Sequence, residues 1–156
     1  MKKLFLLSAV SLLIFSSCKK EITQVKQVSQ AFSAVYTINP SDWVTNNGGL
    51  SYTAELSVPE LDNTIYLGGG VLVYLSFSGT DYYEALPEVF DGFTYGAIHS
   101  NGYVGIDISA LSGSLINPPG QSISAKIILI DAQSLDMHKD INLNDLGAVQ
   151  KAFNIN

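Results

Sequence analysis

The clearest pattern of hydrophobic and polar positions in the chain lies between Leu50 and Val58. Hydrophobic residues occupy every second position of this segment, and serine, threonine and glutamate fill the positions between them. Because successive side chains of a β-strand point to opposite faces, the alternation predicts a strand with one buried and one solvated face. Pro59 ends this strand, since proline has no backbone N–H to donate to a neighbouring strand.

Further strands are predicted by segments that are rich in β-branched and aromatic residues and bounded by Gly, Pro, Asn or Asp. Residues 71–77 are apolar at almost every position, which is typical of a central strand covered on both faces. Other strands are expected at residues 32–38, 82–86 and 122–131. In the last of these we expect Lys126 to point outward and a row of apolar residues to point inward: Ile123, Ala125, Ile127 and Leu129.

The pair Asn101-Gly102 is the strongest turn signal in the chain. It separates two strand-like segments, residues 93–100 and 103–109. Asn and Gly tolerate the positive φ that both central residues of a type I′ turn require. The pair therefore predicts a β-hairpin closed by a two-residue type I′ turn.

The end of the chain has a helical pattern. Asn144 is expected to cap a helix that continues to Phe153, with Leu146, Val149 and Phe153 at the i, i+3, i+7 spacing of an amphipathic helix. A further helical turn is expected within residues 60–67. With about seven or eight short strands at regular spacing, the chain is predicted to be all-β: an antiparallel β-sandwich, Ig-like or jelly-roll-like, with a short C-terminal helix.

The first residues have the pattern of a bacterial lipoprotein signal. Two lysines precede an apolar run from Leu4 to Phe15, and Ser16 and Ser17 provide the small residues that precede a cleavage site. Cys18 follows, and it is the single cysteine of the chain. Its position matches a lipobox, in which the cysteine is acylated and becomes the new N-terminus.

This reading divides the chain into a cleaved signal peptide (1–17), a lipidated tether (18–30) and a sandwich domain (31–156). The apolar run is shorter than the ~20 residues that a membrane-spanning helix needs. We therefore expect a cell-envelope location, in the outer membrane, with membrane lipid as a partner through Cys18; which leaflet the domain faces stays open. Acylation of Cys18 also leaves no thiol for a disulfide, a metal ligand or a nucleophile.

The charge of the domain excludes one class of partner. From Ala31 onward only Lys126, Lys139 and Lys151 accompany 13 carboxylates, and the chain has no arginine. Nucleic-acid binding needs cationic side chains that neutralise phosphates. We therefore expect no nucleic-acid partner.

Four short motifs carry a resemblance to a known group of proteins. In order, they are Asp42-Trp43, Val58-Pro59-Glu60-Leu61, the segment from Gly70 to Leu75, and Ala85-Leu86-Pro87. Over residues 31–153 the chain resembles small Bacteroidota-type cell-envelope lipoproteins of unknown function, and the domain that follows collagen-like repeats in related proteins. The resemblance implies a β-sandwich and a cell-envelope location but no activity. This chain has no Gly-X-Y repeat.

The residue types that carry catalysis do not fall into catalytic patterns. His99 and His138 lie outside any zinc-binding spacing, and the Gly-x-Ser-x-Gly motif of serine hydrolases is absent. Glu84, Glu88 and Asp91 are close in sequence, but solvated acids of an acidic protein explain them equally well. We therefore predict neither an enzyme nor a cofactor.

Acidic residues also gather at two predicted turns, where calcium is the metal to consider. The first group is Asp81, Glu84, Glu88 and Asp91, and the second is Asp131, Asp136 and Asp140. Neither group has EF-hand spacing, and Asp is favoured in turns for its own hydrogen bonds. We predict ordinary turn residues and no metal site, and calcium binding is left open.

Aromatic residues are the remaining candidates for a binding site. Trp43 and eight tyrosines occur in this small domain, and the side chains of Tyr82 and Tyr83 point to opposite faces if they lie in a strand. Exposed aromatic faces mark binding sites. Four of these residues are the predicted ligand-binding set: Trp43, Tyr82, Tyr83 and Tyr103.

These observations predict a lipid-anchored cell-envelope protein whose β domain is a non-catalytic interaction or structural module. The partner of the domain would be a glycan or a protein at the cell surface. A carbohydrate-binding surface lipoprotein is the first alternative. A glycoside hydrolase or another hydrolase is the second.

The lipid anchor gives the first testable prediction. Replacing Cys18 by serine is expected to move the protein from the detergent phase to the aqueous phase in a phase-partitioning assay, because the acylated residue is lost. The thermal unfolding of the domain should not change, because Cys18 lies on the tether. Continued recovery of the C18S protein in the detergent phase would contradict the lipobox prediction.

Overall fold

The computed structural model describes residues 31–77 and 82–156, which form two antiparallel sheets packed face to face. The predicted all-β sandwich is confirmed. The predicted signal peptide (1–17), the tether (18–30) with Cys18, and the acidic residue Asp81 lie outside the described residues.

The described part of the chain contains six strands of seven or eight residues, three shorter strands and three helices. The strands are β1 (Ala31–Ile38), β2 (Trp43–Val44), β3 (Ser51–Ser57), β4 (Gly70–Ser76), β5 (Glu84–Ala85), β6 (Glu88–Phe90), β7 (Phe93–Ser100), β8 (Tyr103–Ala110) and β9 (Ile123–Ile130). The helices are α1 (Asn63–Gly68), α2 (Ala132–Met137) and α3 (Leu146–Phe153), and Pro40–Asp42 form a 3-10 turn. The predicted strand at 82–86 is paired only over β5.

Sheet A has the strand order β1-β9-β4-β5, with β9 at its centre. β9 runs antiparallel to both neighbours, so Ile127 lies opposite Ala34 of β1 and Val73 of β4. Side chains from Ala125 to Ile130 are all buried. This pattern shows that β9 is covered on both faces.

Sheet B has the strand order β2-β3-β8-β7-β6. The alternating segment predicted from the sequence is β3, which pairs with β8 so that Ala54 lies opposite Ile106. Both of these residues are fully buried between the sheets. The intervening residues, such as Glu55, face solvent, as the alternation predicted.

The core between the sheets contains the predicted inward row of β9, which is thereby confirmed: Ile123, Ala125, Ile127 and Leu129.

A second apolar cluster lies on the outer face of sheet A. There Tyr74 and Ile128 pack against Val149 and Phe153 of α3. The Tyr74 hydroxyl donates a hydrogen bond to the Leu143 carbonyl, at 2.6 Å. The domain therefore has three layers: helices, sheet A and sheet B.

Lys126 differs from its prediction in one respect. It alternates with the inward row of β9, as expected, yet its side chain is only 9% exposed. Its ammonium lies 5.7 Å from the centroid of the Tyr83 ring. The outer face of sheet A is covered by the chain itself, so an outward position there is not a solvated one.

The predicted N-cap of the C-terminal helix is wrong by one residue. α3 begins at Leu146, and the carboxylate of Asp145 accepts a hydrogen bond from the Ala148 N–H at 3.0 Å. Asn144 instead donates its backbone N–H to the Asn142 side chain. A carboxylate suits this position because it also interacts favourably with the helix dipole. The predicted helical turn within 60–67 is α1, which Asp62 caps.

The predicted hairpin between β7 and β8 is present, but its turn type is wrong. Gly102 has a φ of +80°, whereas Asn101 does not have a positive φ. Positive φ at the second central residue alone is the pattern of a type II turn. The Gly102 N–H donates to the Leu61 carbonyl and its own carbonyl accepts from the Val58 N–H, both at 2.8 Å. These bonds hold the turn against the loop that precedes α1.

The hairpin turn gives a stability prediction. Gly102→Val should lower the free energy of unfolding by about 1–3 kcal/mol, because valine resists a positive φ. Crowding is not the cause, since no atom lies within 4 Å of where a Cβ would stand. The matched control is Gly102→Asn, which should lower the free energy of unfolding by less than the valine variant does, because asparagine tolerates this conformation. Equal denaturant midpoints for the wild type and the valine variant would contradict the assignment.

Tyr74 gives a prediction about alkaline pH. Burial, and then the charge of Asp145, raise the pKa of Tyr74 from 10.0 to about 12. Its contribution to stability is therefore complete below pH 10 and is lost as the pH rises from 10 towards 12, because the unfolded chain ionises first. Tyr74→Phe should make the decline in this window shallower. It should also lower stability at neutral pH by about 1 kcal/mol through the lost hydrogen bond.

Urea titrations at pH 8, 10, 11 and 12 would measure both effects. Tyr82→Phe, at an exposed tyrosine, is the matched control and should follow the wild-type curve. A Tyr74→Phe protein that loses stability as steeply as the wild type above pH 10 would contradict the prediction.

Candidate functional site

An open cleft of about 370 Å³ lies at one end of the sandwich. Its walls come from the end of β4, from the turn between β6 and β7, and from residues 117–121 before β9. Aromatic rings line one side, and the side chains of Asp91, Asn117 and Gln121 lie around it. We call this recess the aromatic cleft.

The rings of the aromatic cleft are packed on one another in a defined geometry. Phe77 and Phe90 are stacked, with ring centroids 5.4 Å apart and an interplanar angle of 18°. Phe77 meets Tyr95 edge to face, with centroids 4.8 Å apart. Phe90 is 55% exposed. The exposed ring of Phe90 therefore presents an apolar surface to solvent. Phe77 and Tyr95 pack behind it and hold it in place.

A tight turn places Phe90 beside the cleft. Phe90 and Phe93 lie opposite each other in the β6–β7 ladder, and Asp91 and Gly92 between them have φ values of 49° and 80°. Two consecutive positive φ values are the pattern of a type I′ turn, for which Asp-Gly is a preferred sequence. Asp91-Gly92 is thus the signal in the sequence that could have located this site.

Tyr95 lies in the aromatic cleft as a buried residue with an accessible polar end. The residue is 6% exposed. Within residues 31–77 and 82–156, its hydroxyl makes no hydrogen bond, and it is not among the fully enclosed polar atoms. Burial, followed by the charge of Asp91, raises the pKa of Tyr95. The hydroxyl therefore stays protonated and keeps a donor and an acceptor without a protein partner, on a residue that lines the cleft.

The amides of the cleft also keep their hydrogen-bonding groups available. Asn117 and Gln121 are both exposed. Neither side chain is hydrogen-bonded to another part of the described structure, and the same holds for the Asp91 carboxylate. Neither amide is predicted from the sequence, because no motif distinguishes Asn117 and Gln121 from other residues of a polar loop.

The aromatic residues predicted from the sequence do not form one platform. The prediction that Trp43 binds a ligand is wrong. Trp43 is 6% exposed and belongs to the core between the sheets, so its ring faces are not available to a ligand. Tyr103 is exposed at the start of β8 in sheet B. Tyr82 is 82% exposed and precedes β5 at the edge of sheet A. Tyr83 packs with the cluster on the outer face of sheet A.

The acidic groups considered for calcium are occupied or dispersed. Asp131 caps α2 by accepting hydrogen bonds from two backbone N–H groups and the Ser134 hydroxyl. Asp136 pairs with Lys139 at 2.6 Å on the surface. Among the described residues, no three His, Cys, Asp or Glu side chains come together as a metal site would require. Glu84 lies exposed on β5.

The histidines contact aromatic rings. His99 meets Tyr66 edge to face at 5.9 Å, and His138 meets Phe153 in the same way at 4.9 Å. The carboxylate of Asp107 on β8 accepts a hydrogen bond from the Thr53 hydroxyl on the neighbouring strand. None of these side chains lines the aromatic cleft.

A second, larger recess of about 660 Å³ lies beside Ala31. Its carboxylates already have structural roles, because Asp62 caps α1 and Asp131 caps α2. Its acceptors are therefore already used by backbone N–H groups. This distinguishes it from the aromatic cleft, where the polar groups have no protein partner in the described structure.

Comparison with known proteins gives no further assignment. No protein-family model matches the chain, and no curated protein or solved structure matches it either. In the described part of the chain, no helix is long and apolar enough to cross a membrane.

Proposed function

We propose that the protein is a lipid-anchored cell-envelope protein whose β-sandwich holds a ligand at the cell surface without changing it chemically. The observation that carries this proposal is the place of the aromatic cleft relative to the tether. The tether joins the domain at Ala31, which pairs with Ile130 at one end of β9. The cleft adjoins Ile123, at the other end of the same strand.

This arrangement suits a display role. Eight residues of strand span roughly 25 Å, so the cleft lies about that far from the point of attachment. Attachment at residue 31 leaves the opposite end of the sandwich open to the surroundings. Twelve tether residues, 19–30, add a reach of at most about 40 Å. A ligand away from the membrane surface is therefore within reach of the cleft.

The chemistry of the cleft favours binding over catalysis. Asp91 is the one carboxylate among the described residues that line it, whereas glycoside hydrolysis uses a pair of carboxylates. No histidine lies there to act as a general base. The aromatic rings and amides instead favour the alternative already considered, a carbohydrate-binding lipoprotein. A hydrolase has no comparable support from the geometry.

The absence of turnover is the testable consequence. The mature C18S protein, which is soluble if the anchor prediction holds, should release no product from a panel of chromogenic glycosides and esters above the protein-free blank. The reason is that the aromatic cleft has one carboxylate and no histidine, and that the two carboxylates of the recess beside Ala31 already cap helices. Reproducible turnover that is abolished by Glu84→Gln or Asp107→Asn, in a protein that still folds, would overturn the non-catalytic proposal.

A further inference from the structure

We infer that the ligand of the aromatic cleft is a neutral sugar residue within a polysaccharide. This inference rests on the proposed binding function and specifies its ligand. It is carried by three features of the cleft: an exposed aromatic stack, polar groups without protein partners, and the absence of a cation among the described lining residues.

The aromatic stack matches the apolar face of a sugar ring. Phe90 is more than half exposed, and Phe77 behind it holds the ring parallel to its own plane within 18°. Tyr95 in turn supports Phe77 from its edge. A flat, exposed ring that is already fixed in place loses little conformational freedom when a second flat ring packs on it.

The polar groups match sugar hydroxyls, which both donate and accept hydrogen bonds. The Tyr95 hydroxyl and the amides of Asn117 and Gln121 offer donors and acceptors, and Asp91 offers acceptors. A purely apolar ligand would cover these groups and leave them unpaired, which costs about 1–3 kcal/mol for each buried group. Apolar ligands are therefore disfavoured at this site.

The charge of the cleft selects against acidic sugars. Asp91 is the one charged side chain among the described lining residues. The domain lysines lie elsewhere: Lys126 is covered by Tyr83, and Lys139 and Lys151 belong to the helical region after β9. A uronate or phosphate group would meet a carboxylate without any compensating cation. The cleft is open to solvent, so a polymer chain is able to continue beyond it.

Affinity electrophoresis of the mature C18S protein tests this inference. The probes are neutral polysaccharides, namely laminarin, yeast mannan, dextran, xylan and galactomannan, and the acidic polysaccharides alginate and polygalacturonate. We expect at least one neutral polysaccharide to retard the protein and the acidic ones to have no effect. Retardation by the acidic polysaccharides alone, or by none of the neutral ones, would overturn the inference.

Variants locate the binding to the cleft. Phe90→Ala should weaken retardation about three- to tenfold through the lost stacking. Tyr95→Phe should do so by a similar factor, because it removes one hydrogen bond and keeps the ring. Tyr82→Ala and Tyr103→Ala are the matched controls, since both change exposed tyrosines outside the cleft, and they should bind as the wild type does. Loss of binding in these controls, with unchanged binding by Phe90→Ala, would place the site elsewhere and overturn the inference.

A reducing-sugar assay on the same polysaccharides separates this inference from the proposed function. Retardation without release of reducing ends supports both. Retardation with release keeps the ligand class and overturns the non-catalytic function. Failure of every neutral polysaccharide overturns the ligand class alone, because anchoring and turnover are tested independently. Thermal unfolding of each variant identifies any loss of binding that is due to unfolding.

Discussion

The structure depends on the burial of β9 on both of its faces. One face of this strand contributes Ile127 and Leu129 to the core between the sheets, and the other contributes Ile128 and Ile130 to the cluster beneath α3. Both apolar faces of such a strand must be shielded from water, and sheet B packs against only one of them. The C-terminal helices cover the other, so the segment after β9 is required for the sandwich to have a stable outer face. Hydrophobic burial of this kind is the dominant favourable term in folding.

The same strand sets the position of the aromatic cleft. β9 begins at the aromatic cleft and ends beside Ala31, the first residue that the structure describes. The rings of the cleft lie where the core between the sheets reaches the end of the sandwich, so Phe77 and Phe93 also pack against that core. The cleft is therefore an opening of the core. Its aromatic lining follows from the composition of the core, and its polar groups come from the turn and the loop around it.

The sequence predicted what is governed by local periodicity. The alternation at residues 50–58 and the apolar run at 71–77 located β3 and β4, because burial imposes these patterns directly. It did not predict the turn at Asn101-Gly102 correctly, since hydrogen bonds to Val58 and Leu61 from elsewhere in the chain decide the conformation there. The burial of Lys126 was also missed, because its cover comes from segments distant in sequence. The aromatic cleft was not predicted for a similar reason. Phe77, Phe90 and Asn117 are distant in sequence, and only the folded chain brings them together.

Two polar groups lack hydrogen-bond partners in the described structure, and they differ in their access to solvent. One is the indole N–H of Trp43 in the core, and the other is the hydroxyl of Tyr95 at the aromatic cleft. The indole N–H of Trp43 is enclosed and has no partner among the described residues, an arrangement that costs about 1–3 kcal/mol. No ligand reaches it, so it represents a loss of stability only. The hydroxyl of Tyr95 also has no partner in the described structure, but it is not enclosed, and Tyr95 lines the aromatic cleft. A hydroxyl that is accessible to water is not left unpaired without a ligand, so it carries no such penalty, and in the proposed function a sugar hydroxyl would replace that water.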